Sequence, residues 1–353
     1  MENNMRDISV VVQGAVHSEF TPKCLKSIRK HLPKAYIILS TWEGTNTEGL
    51  DFDEVLFSKD PGAIARMYAP ERNIGDNPNN INRQIISTLN GLKHVKTKYA
   101  LKMRTDFEMR HTEFLKYVCK YEKFSNEYRI FKERVISVLG DKPEEKPFFP
   151  YDFLFFGLTE DLLKLFDIPL MTKSDAEWFY SHKPINTERY QFIQGLFKYI
   201  PEQYIWMNCL AKKYPNICAI MQDCSDVNSE SITAGEKSFA NNFVCLDFRQ
   251  YGIYPLKDSL EWLVNENRWH MLHFNNWLLL YKKYCDSSIK ILMRDRYKEE
   301  LKIEKYLIKL NKHFQNFITP IKKFFRWFCE PISITVYIIK IFIRLITRFY
   351  KLF

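Results

Sequence analysis

Four apolar runs in the first third of the chain each end in a short polar cluster, and this repetition restricts the fold more than any other feature. The runs cover residues 8–12, 36–39, 54–57 and 99–103. They are rich in the β-branched and aromatic residues that favour strands. The clusters are Gln13-Gly14, Thr41-Trp42-Glu43-Gly44, Asp60-Pro61-Gly62 and Arg104-Thr105-Asp106. Helical signals lie between the runs. Thr21 followed by Pro22 predicts an N-cap and first helical residue for a helix reaching His31, which Pro33 ends. A second helix is predicted from Asn80 to Lys93, with Ile81, Ile85, Leu89 and Leu92 on one stripe and Asn82 and Arg83 in its first turn. If these strands pair in parallel, all four clusters fall on one sheet edge. Open α/β sheets bind ligands at that edge, the carboxyl ends of their strands. No G-x-G-x-x-G and no phosphate-cradling G-x-x-x-x-G-K-[ST] occurs.

A chain of 353 residues can bury a substantial core as one large domain or two modest ones. Its net charge of +10 raises the question of an acidic partner, but from residue 321 onward seven basic residues stand against one acid, Glu330, so the tail carries six of the ten. The body is only mildly basic, and no nucleic-acid groove is needed to explain the charge. In the tail, residues 331–353, Lys340, Arg344 and Arg348 recur every four positions among Ile338, Ile341, Phe342, Leu345, Ile346 and Phe349. That pattern predicts an amphipathic helix in the headgroup layer of an anionic membrane, with packing on the body or in a dimer as the alternative. The longest apolar stretch, 332–343, is broken by Lys340 and falls short of the ~20 residues that cross a bilayer. Eight cysteines show neither a C-x-x-C pair nor zinc-finger spacing and are expected to be reduced thiols. The polar first seven residues and the short apolar run behind them do not resemble a secretion signal, so a cytoplasmic location is expected.

Residues 69–80 read as a loop over the sheet edge and 142–146 as a charged loop. Further on, strands are expected at 151–156 and 241–247, a short helix at 160–166, and another helix opening at Pro201 with a body at 204–214.

Asp106 and Glu108 form a D-x-E pair at the end of a strand. Side chains two apart share a face there, so the pair can offer oxygens to one hard cation such as Mg²⁺ or Mn²⁺, which in turn bridges diphosphates. Solvated or capping carboxylates are the alternative reading. Lys102 and Arg104 alternate just before the pair and, with Arg83, can present positive charge to phosphate or hold the loop through ion pairs. His270 and His273 share a face if a helix runs through them and then resemble a late metal-ligand pair; packed or solvated histidines are the alternative.

The succession V-V-V-Q-G-A, I-I-L-S-T-W-E-G, S-K-D-P-G, N-I-N-R-Q-I-I-S-T-L-N-G-L and Y-A-L-K-M-R-T-D resembles the WavE-type lipopolysaccharide biosynthesis proteins over roughly the first 110 residues. Fainter likeness continues through Tyr151 to Gly157, Pro201 to Tyr204 and Asn241 to Phe243. The resemblance implies a bacterial enzyme of cell-surface glycan assembly, a glycosyltransferase with an α/β, GT-A-like nucleotide-diphospho-sugar transferase fold. Its N-terminal half is Rossmann-like and its tail helical and amphipathic. The implied domains are 1–319 for the transferase and 320–353 for the tail; within the former, 1–110 binds the nucleotide sugar and 111–319 faces the acceptor.

GT-A enzymes hold a divalent ion with D-x-D at the strand entering the site. Here Arg104-Thr105-Asp106 falls at that place, so Arg104 replaces the first carboxylate. Either Glu108 restores an oxygen ligand, giving Asp106 and Glu108 as metal residues for Mg²⁺ or Mn²⁺, or Arg104 neutralises the diphosphate and the metal is dispensable. By position Gln13, Gly14, Thr41, Trp42, Asp60, Arg83, Lys102 and Arg104 are the implied donor-binding residues. Gly14 permits close backbone approach and Trp42 either stacks on a base or packs. An inverting transferase needs a general base, for which Glu202 is the first candidate, with Asp152 and Asp175 as competitors. A glutamate in a first helical turn also suits the helix dipole without any catalytic role. The expected partners are a nucleotide-sugar donor, a lipid-linked lipopolysaccharide or capsular acceptor and the inner face of the bacterial membrane. The competing function is a non-catalytic scaffold of a polysaccharide-assembly complex with a degenerate transferase fold, a reading that Arg104 favours.

Overall fold

The computed structural model describes residues 8–65, 78–193, 195–257, 260, 264 and 270–291. The expected amphipathic tail, the 319/320 domain boundary and most of the 69–80 loop lie outside these residues. Nine strands are described: β1 (Ile8–Gln13), β2 (Tyr36–Trp42), β3 (Glu54–Ser58), β4 (Tyr99–Arg104), β5 (Phe107–Met109), β6 (Val135–Val138), β7 (Phe155–Leu158), β8 (Phe243–Leu246) and β9 (Ile253–Pro255). Seven of them make one sheet in the order β3-β2-β1-β4-β7-β6-β8, while β5 and β9 pair separately. β3, β2, β1 and β4 are mutually parallel, the condition under which the four clusters share one edge. β7 runs antiparallel to both β4 and β6, and β6 is parallel to β8. Every residue of β1 is buried, the continuous apolar run that a central strand covered on both faces requires.

The helices are α1 (Phe20–His31), α2 (Ile81–His94), α3 (Thr159–Phe166), α4 (Lys173–Ala176), α5 (Thr187–Ile193), α6 (Pro201–Ala211), α7 (Ile217–Ile220), α8 (Ser229–Asn242), α9 (Phe248–Tyr251) and α10 (Phe274–Tyr284). α2 lies directly on β1 and β2. Its Gly91 makes this approach possible, since a Cβ there would fall 2.3 Å from Val11 Cγ1. Ser40 Oγ donates to the Ser87 carbonyl at 2.7 Å and ties the same two layers together.

Several local expectations differ from the structure, each for a physical reason. α1 begins at Phe20, one residue before the expected cap; Thr21 sits in the first turn, where its Oγ1 accepts from the His17 amide at 2.9 Å. The strand expected at 151–156 is β7, shifted to 155–158. Its last partner on β4 is Lys102, facing Phe155, so residues 151–154 run beyond the sheet with no strand to pair with. The strand expected at 241–247 is the shorter β8, because Asn241 and Asn242 close α8 and turn their amides to other segments. Asn241 accepts from the Ser125 amide and Asn242 from the Ile130 amide. No helix carries His270 and His273 on one face: Met271 bridges to Asp141, and α10 starts only after His273.

Candidate functional site

At the edge formed by the carboxyl ends of β1, β2 and β4, the first cluster is bonded both to the end of β2 and to the fourth cluster. The Gly14 amide donates to the Ser40 carbonyl at 3.0 Å and the Thr105 amide to the Gln13 carbonyl at 3.3 Å. Thr105 Oγ1 donates to the Ala15 carbonyl at 2.7 Å. Gly14 has φ of +116°, a conformation that side chains other than glycine's rarely adopt, and this turn carries the chain away from β1 without a Cβ at the edge. Gln13 is buried with its Oε1 2.7 Å from Ser87 Oγ. Thr41 is fully buried and its hydroxyl has no partner among the described residues, while Trp42 beside it is half-buried.

Asp60 and Arg83, expected on the donor side, bind each other. Arg83 Nε and Nη2 each donate to one Asp60 oxygen at 2.7 Å, and Nη1 donates to Asn80 Oδ1 at 2.9 Å. These bonds hold the Asp60 carboxyl below its usual range. Asn82, in the same first turn of α2, takes up both the amide and the carbonyl of Met171 and so fastens the turn to the opposite half of the fold.

The charged residues of β4 sit deeper. Lys102 is completely buried, between the rings of Phe155 and Phe166, and its ammonium donates to the Asp152 carbonyl. Desolvation pushes it down to about 8, with Asp152, Arg104, Asp106 and Glu202 all close enough to act on its charge. Gln84 Nε2 reaches the same Asp152 carbonyl at 3.3 Å. The unpaired stretch before β7 thus delivers Asp152 to the end of β4. α6 delivers Glu202 in its first turn: Pro201 opens the helix, and Gln203 turns back to anchor it, with Oε1 accepting from the Ile200 amide and Nε2 donating to the Pro147 carbonyl. Burial first and the Asp152 charge second raise the Glu202 carboxyl above its ordinary value. The structure therefore brings Lys102, Arg104, Asp106, Asp152 and Glu202 into one cluster. Asp175 is elsewhere, in the capping turn of α4, where Thr172 Oγ1 bonds both its amide and its carboxylate.

Asp106 is 2% exposed and forms a fork with Arg104, whose Nε donates to Oδ1 at 2.9 Å and Nη2 to Oδ2 at 2.6 Å. A second cation, Lys257, lies 3.0 Å from Oδ2. Burial alone would raise the Asp106 carboxyl; Arg104 and then Lys257 outweigh it and hold the group below its usual range. Glu108 is turned to Arg110 at 3.2 Å. With Asp106 committed to two cations and Glu108 to a third, the D-x-E pair as it stands does not fit a divalent ion. Among the described residues no three histidine, cysteine, aspartate or glutamate side chains gather as metal ligands. His273 pairs through Nδ1 with Asp247 Oδ1 at 2.8 Å.

Lys257 was not among the residues singled out from sequence. Gly252, in the left-handed region at φ +82°, ends α9 and starts β9, which pairs antiparallel with β5 so that Pro255 faces Phe107. Continuing that register, the Leu256 amide donates to the Asp106 carbonyl at 2.9 Å, and Lys257 arrives beside the carboxylate. The signal lies in a pairing across about 150 residues and in no local motif.

No curated protein matches this chain. The likeness seen in the first 110 residues and more faintly beyond is part of a longer correspondence, since the model of the WavE lipopolysaccharide synthesis family matches residues 8–311. That span takes in all five clustered residues and Lys257, and the chain belongs to the WavE lipopolysaccharide synthesis family.

Proposed function

We propose that the protein is a glycosyltransferase that moves a sugar from a nucleotide-sugar donor to a lipopolysaccharide or capsular acceptor, working on the inner face of the bacterial membrane with a GT-A-like fold. One observation carries the reading: the buried Lys102, the partly exposed Arg104 and the carboxylates of Asp106, Asp152 and Glu202 converge at the carboxyl end of β4, the edge where a parallel sheet takes its ligand. The two functions a transferase needs are then on adjacent elements. Arg104, with Lys102 behind it, would supply the positive charge that offsets the negative charge building up on the departing phosphate. Glu202, its carboxyl raised by burial and by Asp152, has the basicity suited to taking a proton near neutral pH. In an inverting displacement the acceptor oxygen bonds to the anomeric carbon as the bond from that carbon to phosphate breaks. The electron pair leaves with the nucleotide, and the hydroxyl proton passes to Glu202, with Asp152 as the competing base. Membrane attachment through the basic stripe of Lys340, Arg344 and Arg348 would bring the site to a lipid-linked acceptor.

The test is nucleotide release and thermal shift across UDP-, GDP-, CMP- and dTDP-sugars in the presence of membranes, with wild type and Glu202→Gln. The expected result is turnover of one donor by wild type, and retained donor binding with turnover reduced about 10²- to 10⁴-fold in Glu202→Gln. A scaffold with a degenerate site predicts silence toward every donor from a well-folded protein.

A further inference from the structure

The Arg104–Asp106–Lys257 triad carries one negative and two positive charges, and its cations are not used up by the carboxylate between them. Arg104 commits Nε and Nη2 to Asp106, and its Nη1 has no partner among the described residues. Lys257 commits one of three N–H donors. Asp106 is sealed in at 2% exposure, whereas Arg104 keeps 31% of its side-chain surface open and Lys257 29%. The buried member is therefore the anion, and the solvent-facing members are both cations. Arg104 is further fixed by stacking its guanidinium over the rings of Phe107 and Phe153, at 5.8 and 5.4 Å. Both cations lie within hydrogen-bond reach of the single oxygen Asp106 Oδ2, so they are held side by side. The outer edge of the guanidinium, Nη1 and the second hydrogen of Nη2, next to a point charge matches the oxygens of two linked phosphates. The same carboxylate that a divalent ion would require is the group that holds the cations.

We propose that Arg104 and Lys257 bind the diphosphate of the donor in place of a divalent cation, so that the donor is a nucleoside-diphosphate sugar and not a CMP-activated one. This rests on the transferase reading above and deepens it.

Calorimetry with inorganic pyrophosphate, UDP and GDP in EDTA, repeated with Mn²⁺, tests the clamp on the full-length protein. Wild type is expected to bind pyrophosphate or a nucleoside diphosphate in EDTA, with little gain from Mn²⁺. Lys257→Gln should weaken it about ten- to a hundredfold, the effect of losing one charge-assisted hydrogen bond, and Lys257→Arg should restore most of it. Lys257 is partly exposed, so an unchanged melting temperature will show that Lys257→Gln still folds. Binding that requires Mn²⁺, or that Lys257→Gln leaves intact while a nucleotide sugar is turned over, overturns the clamp and leaves the transferase reading standing. Turnover of a CMP-sugar overturns the donor class in the same way. No binding and no turnover with any nucleotide sugar, with or without Mn²⁺, overturns both.

Discussion

Two arginine–aspartate forks stand at the edge of this sheet with nearly the same geometry and opposite surroundings. Arg83 grips Asp60 with both bonds at 2.7 Å, and the two side chains are 33% and 38% exposed. Arg104 grips Asp106 at 2.9 and 2.6 Å, but here the carboxylate is 2% exposed and a second cation touches it. In the first pair water screens the charges, so breaking it costs little. In the second the carboxylate has been removed from water and depends on two partly exposed cations for its solvation. Equal bond lengths thus say little about what a pair contributes; burial decides.

The largest effect that would break this comparison is at Asp106. Asp106→Ala leaves Arg104 and Lys257 side by side without the anion between them, costing each a charge-assisted bond, and is expected to destabilise the protein by about 3–4 kcal/mol in urea unfolding. A loss below about 1 kcal/mol would mean that water reaches the carboxylate as well and that the two forks are alike. Next comes the pH dependence of Lys102. Its ammonium releases its proton at about 8 in the folded protein, against an ordinary value of 10.5. Below pH 8 both states are protonated and the full cost of burying the charge is present. Between 8 and 10.5 the unfolded chain still binds the proton that the folded one has lost, so stability from this group rises with pH, by roughly 3 kcal/mol across the window. Unfolding measured at pH 7, 9 and 10.5 should show that rise in wild type and a flattened profile in Lys102→Met. The smallest effect belongs to the exposed fork: Asp60→Asn should change stability by less than about 1 kcal/mol, with most of that vanishing in 1 M salt. A loss above 2 kcal/mol would show that Asp60 and Arg83 hold more than a surface turn.

The parallel half of the sheet was legible because its information is local. β1 to β4 each lie in a short, mainly apolar run, α2 announces itself by the stripe through Ile81, Ile85 and Leu92, and together these place Gln13, Thr41 and Arg104 on one edge. Family likeness named Asp152 and Glu202 as candidate bases, but their meeting with Lys102 and Arg104 is visible only in the structure, because no local spacing encodes it. Residues 151–154 read as strand because their aromatic content is that of a strand, but they project past the end of β4 with no partner to pair with. D-x-E suggested two free oxygens, while Asp106 and Glu108 each face a cation supplied by context, Lys257 from β9's extension and Arg110 from β5's. His270 and His273 failed for a similar reason: their three-residue spacing matters only on a helix, and a bridge to Asp141 occupies that stretch instead.

The pairing of β9 with β5 also sets an order in time. The pairings among the first four strands all lie within the first 104 residues, although β1 meets β4 only across about ninety of them. Asp106 and Arg104 are then in place, but the second cation is still about 150 residues from being synthesised, and so is the strand that seals the carboxylate. A partly made chain can therefore display a sheet edge of nearly the right shape without the charge balance that would retain a phosphorylated ligand there. If Arg104 and Lys257 form the proposed clamp, a chain that stops before Lys257 lacks one of its two cations.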